Sequence, residues 1–427
     1  MLLALILGLA ACPTSTSVQL GTGAGRDPDS GAPADSGIED LGGTDDTADS
    51  GDTAEEPEDT GWPRACPSLY DPDQVSEFDL TFSEETWAAV QRDCREGSQR
   101  YRPVDLTYDG ETVAAMARLK GNWSWNCDKL QFVVSFNEQD PDARFHGLRK
   151  LMFDAPWYDR TLLHERLAHP MFAARGLPHS CANNARLSVN GEYYGLYANL
   201  ERIDHEYLER NFEESEGNLY QGGSELKTNE DVGDTSRLQE LQAATTVDEI
   251  ATLVNLDEAV SEWAMEAMIP AMDNYWAGVE INYYLYDHPS LGFVYLPYDL
   301  DLSFGDGSYT DGTLVWPQSL TVDPITWEHS GWRKEALMMI VLADPFWCER
   351  FVEELRGARE VYDPDALVAK VDLWADQIAE AYAEDPRASY SVHDHEEGLD
   401  LLREFIPARA DFVDDWLADG DHCPARW

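Results

Sequence analysis

Positive charge is scarce in this chain: 30 Lys and Arg stand against 82 Asp and Glu, for a formal net charge of −52. Such a balance argues against nucleic acid as a partner, because its phosphates would be repelled. Long hydrophobic runs are also missing. The apolar run at residues 2–11 is too short to span a bilayer, and no later stretch reaches that length. There is no Cys-x-x-Cys, which leaves a zinc site without its usual spacing. Neither a Walker loop nor a Gly-x-Ser-x-Gly elbow occurs. His164 and His169 are one residue too far apart for the His-Glu-x-x-His zinc pattern. His393-Asp-His-Glu-Glu397 reads as a solvated loop.

Aromatic and large aliphatic residues are nearly absent between about residues 13 and 59, where Gly, Ser, Thr, Ala, Pro, Asp and Glu dominate. A segment so poor in apolar surface cannot offset its ordering entropy and is expected to be a disordered, extended tether. Before it, residues 1–11 read as an export signal ending Leu9-Ala-Ala-Cys12. No Lys or Arg precedes the apolar run. The segment resembles a bacterial lipoprotein signal, which makes Cys12 the lipidated residue and predicts an exported protein anchored on the cell envelope. The domain plan is therefore a signal at residues 1–11, an acidic linker at 12–61 and one folded region at 62–427. All 14 tryptophans lie in that last region. Cys66, Cys94, Cys127, Cys181, Cys348 and Cys423 remain for disulfides, and Cys66 with Cys423 would staple the ends of the folded region.

What the folded region does contain is a concentration of acids in one short stretch. Phe293-Val-Tyr-Leu-Pro-Tyr-Asp-Leu-Asp-Leu-Ser-Phe-Gly305 is an apolar run ending in Asp299 and Asp301. On a strand, i and i+2 share a face, so both carboxylates would converge on one divalent cation. Upstream lie Asp273-Asn274 and Asn282-Tyr-Tyr-Leu-Tyr. Strands are expected over residues 77–82, 104–108, 112–119, 130–136 and 149–153. A helix is expected over 83–94 with Ser83 as N-cap, and another over 161–174. Asn190-Gly191 marks a hairpin, and residues 282–299 form a second one.

Several segments together resemble one family. Arg118-Leu-Lys-Gly, Lys129-Leu-Gln-Phe-Val-Val-Ser-Phe, Leu163-His-Glu-Arg-Leu-Ala, Val189-Asn-Gly-Glu-Tyr-Tyr-Gly-Leu-Tyr, Glu201-Arg-Ile-Asp, Gly217-Asn-Leu-Tyr and the two acidic segments look like the spore coat protein H (CotH) kinases, over about residues 106–361. The resemblance implies an α+β, two-lobed, atypical protein-kinase-like fold, with a β-rich N-lobe and a mainly helical C-lobe. It implies transfer of phosphate from ATP, with Mg2+ or Mn2+, to Ser or Thr of a protein acceptor. Lys129 would hold the phosphates, Glu165 would pair with Lys129, Gly121 would sit in the phosphate-covering loop, and Glu201 would mark the hinge. Asp273 would be the base, while Asn282, Asp299 and Asp301 would hold metal. The alternative is a non-catalytic binding or adhesion module on the same scaffold, which suits an envelope tether where ATP is scarce.

Overall fold

Apolar residues alternate with polar ones along strand β1 (Ser76–Thr81), and Phe78 and Leu80 turn inward. The computed structural model describes residues 62–121, 124–156, 158–278, 282–305, 309–310, 313–314, 319–326, 336–420 and 422–423. The expected signal, Cys12 and the acidic linker up to residue 61 lie outside the described residues. Helix α1 (Glu84–Glu96) begins where Ser83 accepts a hydrogen bond from Thr86 N, and it ends at Gly97 in the left-handed conformation. Strands β2 (Arg102–Tyr108) and β3 (Glu111–Leu119) form a hairpin through Asp109 and Gly110, both at positive φ.

Next come β4 (Phe132–Ser135), β5 (Lys150–Asp154) and helix α2 (His164–Ala174). Strands β6 (Ala182–Val189) and β7 (Glu192–Leu200) turn at Asn190-Gly191 as expected. The seven strands close into a barrel in the order β1-β2-β3-β4-β5-β7-β6, with β1 and β6 parallel. Closure removes the sheet edges. Phe78, Leu80, Leu106, Phe132, Leu151 and Phe153 fill its interior.

The second half begins with α3 (His205–Asn211), β8 (Asn218–Gln221), β9 (Glu225–Leu226), α4 (Ser236–Ala243) and α5 (Val247–Ala251). Helix α6 (Leu256–Met268) is buried nearly all round and is sunk in the core, although it carries several acids. The hairpin of β10 (Tyr283–His288) and β11 (Gly292–Pro297) recruits β8 and β9 into a four-stranded sheet, β11-β10-β8-β9. Helices α7 (Ala336–Leu342), α8 (Pro345–Val361), α9 (Pro364–Glu384) and α10 (Val392–Ala418) complete the chain, and α6 packs chiefly against α8. No helix among the described residues is long and apolar enough to cross a membrane.

The α+β expectation holds, but the expected two-lobed kinase-like layout, with a β-rich N-lobe and a mainly helical C-lobe, is corrected in two ways. The β-rich part is a closed barrel, and the part after it carries a sheet as well as helices. Residues Gly217-Asn-Leu-Tyr explain the second point. They form β8 and pair with β10, so the expected isolated hairpin becomes a sheet.

The disulfides are Cys66–Cys181, Cys94–Cys127 and Cys348–Cys423. This overturns the expected Cys66–Cys423 staple. Cys423 follows α10, which lies against α8, and Cys348 on α8 is its partner. Cys66–Cys181 closes a sequence separation of 115 residues and Cys94–Cys127 one of 33. Since longer loops lose more denatured-state entropy when linked, Cys66→Ser with Cys181→Ser should destabilise by about 2–5 kcal/mol, more than Cys94→Ser with Cys127→Ser. Denaturant unfolding of both pairs would reveal the order.

Candidate active site

Strand β3 ends at Leu119, and the next residue, Lys120, is still held in register by its N–H, which donates to Gln131 O at 3.1 Å. The Lys120 ammonium meets the Asp154 carboxylate at the end of β5. Between these two, Gln131 braces the loop after β3. Its amide donates to Ser124 O at 2.8 Å, and its Oε1 accepts from Ala155 N at 3.3 Å. Gly121 enters that loop at φ +114, a conformation other residues rarely adopt. The disulfide at Cys127 ties the loop to α1, and the Trp125 indole donates to Cys94 O at 2.9 Å.

Helix α2 brings Glu165 to the same place. Glu165 Oε1 accepts from Leu300 N at 2.9 Å, and Oε2 lies 3.0 Å from His169 Nε2. His169 Nδ1 accepts from Ser180 N at 3.2 Å, so the ring proton sits on Nε2 and points at Glu165. Burial keeps this imidazole neutral, lowering its pKa to about 3. Burial, with Asp154 next, pushes Glu165 up to about 8.

The acidic pair arrives differently from the expectation. Strand β11 stops at Pro297, and Asp299 adopts φ 61 and ψ 60 ahead of a short 3-10 turn over Leu300–Leu302. The Leu300 N–H goes to Glu165 instead of a strand partner, which is why the ladder ends. Asp299 and Asp301 therefore do not share a strand face. Burial first, then the Asp154 carboxylate, raises Asp299 to about 7, while burial first, then Asp299 and Asp273, raises Asp301 well above its usual range. The Asp301 carbonyl accepts from His164 Nδ1 at 2.7 Å, which fixes the turn.

Asp273 sits in the turn after α6. Asn282 Nδ2 donates to its Oδ2 at 2.8 Å, while its Oδ1 is buried with no donor among the described residues. Asn274 Nδ2 bridges Asn282 O at 2.9 Å and Tyr298 O at 2.8 Å, locking this turn to the hairpin. Burial, then Asp299 and Glu165, drives the Asp273 carboxyl well up. Five acids thus act on one another here, Asp154, Glu165 and Asp299 also feel Lys120, and Asp273 Oδ1 is left without a donor among the described residues. Unpaired, partly buried carboxylates in hydrogen-bond-poor surroundings suit a hard divalent cation.

A family model described as CotH kinase protein matches residues 117–413. The chain belongs to the CotH kinase family. No curated protein matches it. Every residue of the converging set, from Lys120 to Asp301, falls inside the CotH match.

Of the residues expected at a CotH site, the fold unites Gly121, Glu165, Asp273, Asn282, Asp299 and Asp301. It separates two. Lys129 makes a buried ion pair with Asp385 at 2.7 Å and lies over the Tyr197 ring. Asp385, at the C-terminal end of α9, also accepts from Leu196 N at 2.9 Å, so this pair pins α9 to the barrel. Glu201 is likewise consumed. It accepts from Arg210 at 2.6 Å and from Cys181 N at 3.0 Å. Lys120 and Asp154 were missed. Lys120 closes a predicted strand just before a glycine, and Asp154 ends another, the same strand-end signal that singled out Asp299.

Removing one partner of a sealed ion pair strands the other charge. Lys129→Met should therefore lower stability by about 3–5 kcal/mol, and adding Asp385→Leu should recover much of the loss. Unfolding curves of the single and double variants decide whether Lys129 is structural. No loss in the single variant would return Lys129 to the list of site residues.

Proposed function

We propose that this CotH protein is a metal- and nucleotide-dependent phosphotransferase, acting on Ser or Thr hydroxyls of a protein acceptor. The observation that carries the reading is the convergence of Asp273, Asp299 and Asp301, with Asn282, opposite one lysine. In this reading the barrel forms the nucleotide side and the sheet-and-helix part the acceptor side. Lys120, placed at a strand end beside Gly121, neutralises phosphate charge in the role first expected of Lys129. Asp154 holds Lys120, and Glu165 holds the Asp299 turn through Leu300 N.

Asn282, Asp299 and Asp301 fit a magnesium or manganese ion, which would screen phosphate charge on ATP during transfer. Asp273 accepts the acceptor hydroxyl's proton, and the Asn282 amide orients it by holding Oδ2. A raised pKa suits that task, since a base works best near the ambient pH. Positioning and charge neutralisation are what phosphoryl transfer demands of a protein.

The same reading includes an address. Cys12 is proposed as the lipidated residue and residues 12–61 as the tether to the cell envelope. Three disulfides fit an oxidising compartment. Cys12→Ala should move the protein from the membrane fraction to a soluble exported one, and unchanged fractionation would remove the anchor from the reading.

Titration calorimetry with magnesium or manganese and ATP tests the site. Lys120→Ala should weaken nucleotide binding roughly ten- to a hundredfold, the loss of a charge-assisted contact of about 1.5–3 kcal/mol. Asp299→Asn should weaken binding only when metal is present. Asp273→Asn should abolish label transfer to a serine-rich acceptor while leaving nucleotide affinity within about threefold. Absence of any nucleotide binding by the unaltered protein would overturn the reading.

A further inference from the structure

Helix α6 carries Glu258, Glu262 and Glu266 at four-residue spacing, which aligns them on one face. That face looks inward. Glu262 is 1% exposed and Glu266 is 0% exposed. Ionised carboxylates only accept hydrogen bonds, so this buried pair offers four acceptor oxygens. Among the described residues one donor arrives: Trp276 N–H, 2.7 Å from Glu266 Oε2. Both oxygens of Glu262 and Oε1 of Glu266 receive none. Two bare anions one helical turn apart in a dry core would pay full desolvation and repel each other. The two carboxyls lie within hydrogen-bond reach. A single proton on Glu262 resolves the conflict. Its O–H donates to Glu266 Oε1, and Glu266 stays anionic to accept from Trp276.

The Trp276 end leads to the site already described. Residues 271–278 form a compact turn in which Asn274 N donates to Ala271 O, Ala277 N to Asn274 O and Gly278 N to Tyr275 O. Its first residue is tied back to α6 by Ala271 N to Glu266 O at 3.0 Å, and the Trp276 indole donates to Pro324 O at 2.7 Å. Asp273 rides on this turn. We propose that Glu262 and Glu266 form a proton-sharing pair whose anionic end positions the turn bearing Asp273, so that the turn stays fixed only while the pair keeps its proton. The functional half of this rests on the reading of Asp273 as the base; the pair itself does not.

No cation acts on the pair among the described residues: Arg409, which reaches α6 from α10, is engaged with the carbonyls of Ala267, Met268, Leu320 and Val322. Glu258, one turn earlier on α6, adds repulsion, and Tyr207 on α3 faces Glu258 and Glu262. Asp273 feels Glu266 from the far end. From α8, Arg350 is engaged with Asp257, Glu353 and Glu354. From α2, His169 is engaged with Glu165, and from β11 the Tyr295 hydroxyl meets that of Tyr275. Burial, with the Glu266 charge next for Glu262, raises this proton-sharing pair above the usual carboxyl range, Glu262 furthest. In such a pair the folded state binds more protons than the unfolded one. Its contribution to stability is complete below the unfolded carboxyl pKa and is lost as pH rises toward the folded values.

Glu262→Gln separates the possibilities, because a carboxamide N–H replaces the acid O–H as donor to Glu266 and cannot titrate. The full chain and this variant are compared by thermal unfolding from about pH 5 to pH 8, and by amide hydrogen exchange of residues 271–278. The expected result is equal midpoints near pH 5 and a midpoint several degrees higher for the variant near pH 8. Protection of the turn should fall with pH in the unaltered protein and persist in Glu262→Gln. Infrared spectra should lose one protonated-carboxyl stretch in the variant at neutral pH. Parallel stability curves, no lost stretch, or a Gln variant unfolded at every pH would overturn the pair. A pH-independent exchange pattern in the unaltered protein would overturn its positioning role. Intact curves with no phosphoryl transfer would support the pair and refute only the reading of Asp273 as a base.

Discussion

Lys120 meets Asp154 where two barrel strands end with β4 between them, and the rest of the site is arranged around that contact. Helix α2 adds Glu165, the turn after α6 adds Asp273, and the segment after β11 adds Asp299 and Asp301. Each element delivers negative charge to the same place. Charge alone would drive these elements apart, because like charges in a low-dielectric setting repel strongly. One ammonium cannot balance five carboxyls. Protons held at raised pKa values relieve the repulsion, and in the proposed reading a divalent cation would replace them.

Charge in this protein is buried in two distinguishable ways. Lys129–Asp385 and Glu201–Arg210 are complete: each carboxylate has its cation and at least one backbone N–H as well. Such pairs hold elements together, α9 to the barrel in one case and the start of β6 to α3 in the other. The acidic cluster is incomplete: Asp273 Oδ1 has no donor among the described residues, and Asp301 is surrounded by the carboxylates of Asp299, Asp273, Glu165 and Asp154. Incompleteness, more than burial or shifted acidity, separates a candidate ligand set from structural ion pairs. By that criterion the two residues that looked most kinase-like in sequence, Lys129 and Glu201, fall on the structural side.

The sequence made local geometry legible and long-range pairing opaque. Ser83 with two acids behind it capped α1, and the turns at Asp109-Gly110 and Asn190-Gly191 formed as their residue types require. The acidic segments pointed to the place where Asp273, Asp299 and Asp301 act on one another. The separation of Lys129 from the acidic cluster was not legible: Lys120 and Lys129 both precede strand β4 in sequence, and what distinguishes them is a partner 256 residues from Lys129, Asp385. Closure of the barrel was equally hidden. It depends on the parallel pairing of β1 with β6, which joins segments about as far apart as the barrel allows and leaves no local mark. The strand geometry expected for Asp299 and Asp301 failed because Glu165, on another element, captures Leu300 N.

Helix α6 shows the same logic in a sealed compartment. Its acids resemble the site's acids in lacking donors, yet Glu262 and Glu266 are enclosed, whereas Asp273 and Asp299 are only partly buried. A cation needs several oxygen ligands and a route in; a proton needs one donor–acceptor pair and little space. Two carboxyls one turn apart, with three undonated oxygens and a single backbone N–H, match the second requirement and not the first. Negative charge in this fold is therefore managed by access. In the proposed reading the acids that solvent can reach would be left for a metal, and those it cannot reach would share a proton and brace the open set from behind.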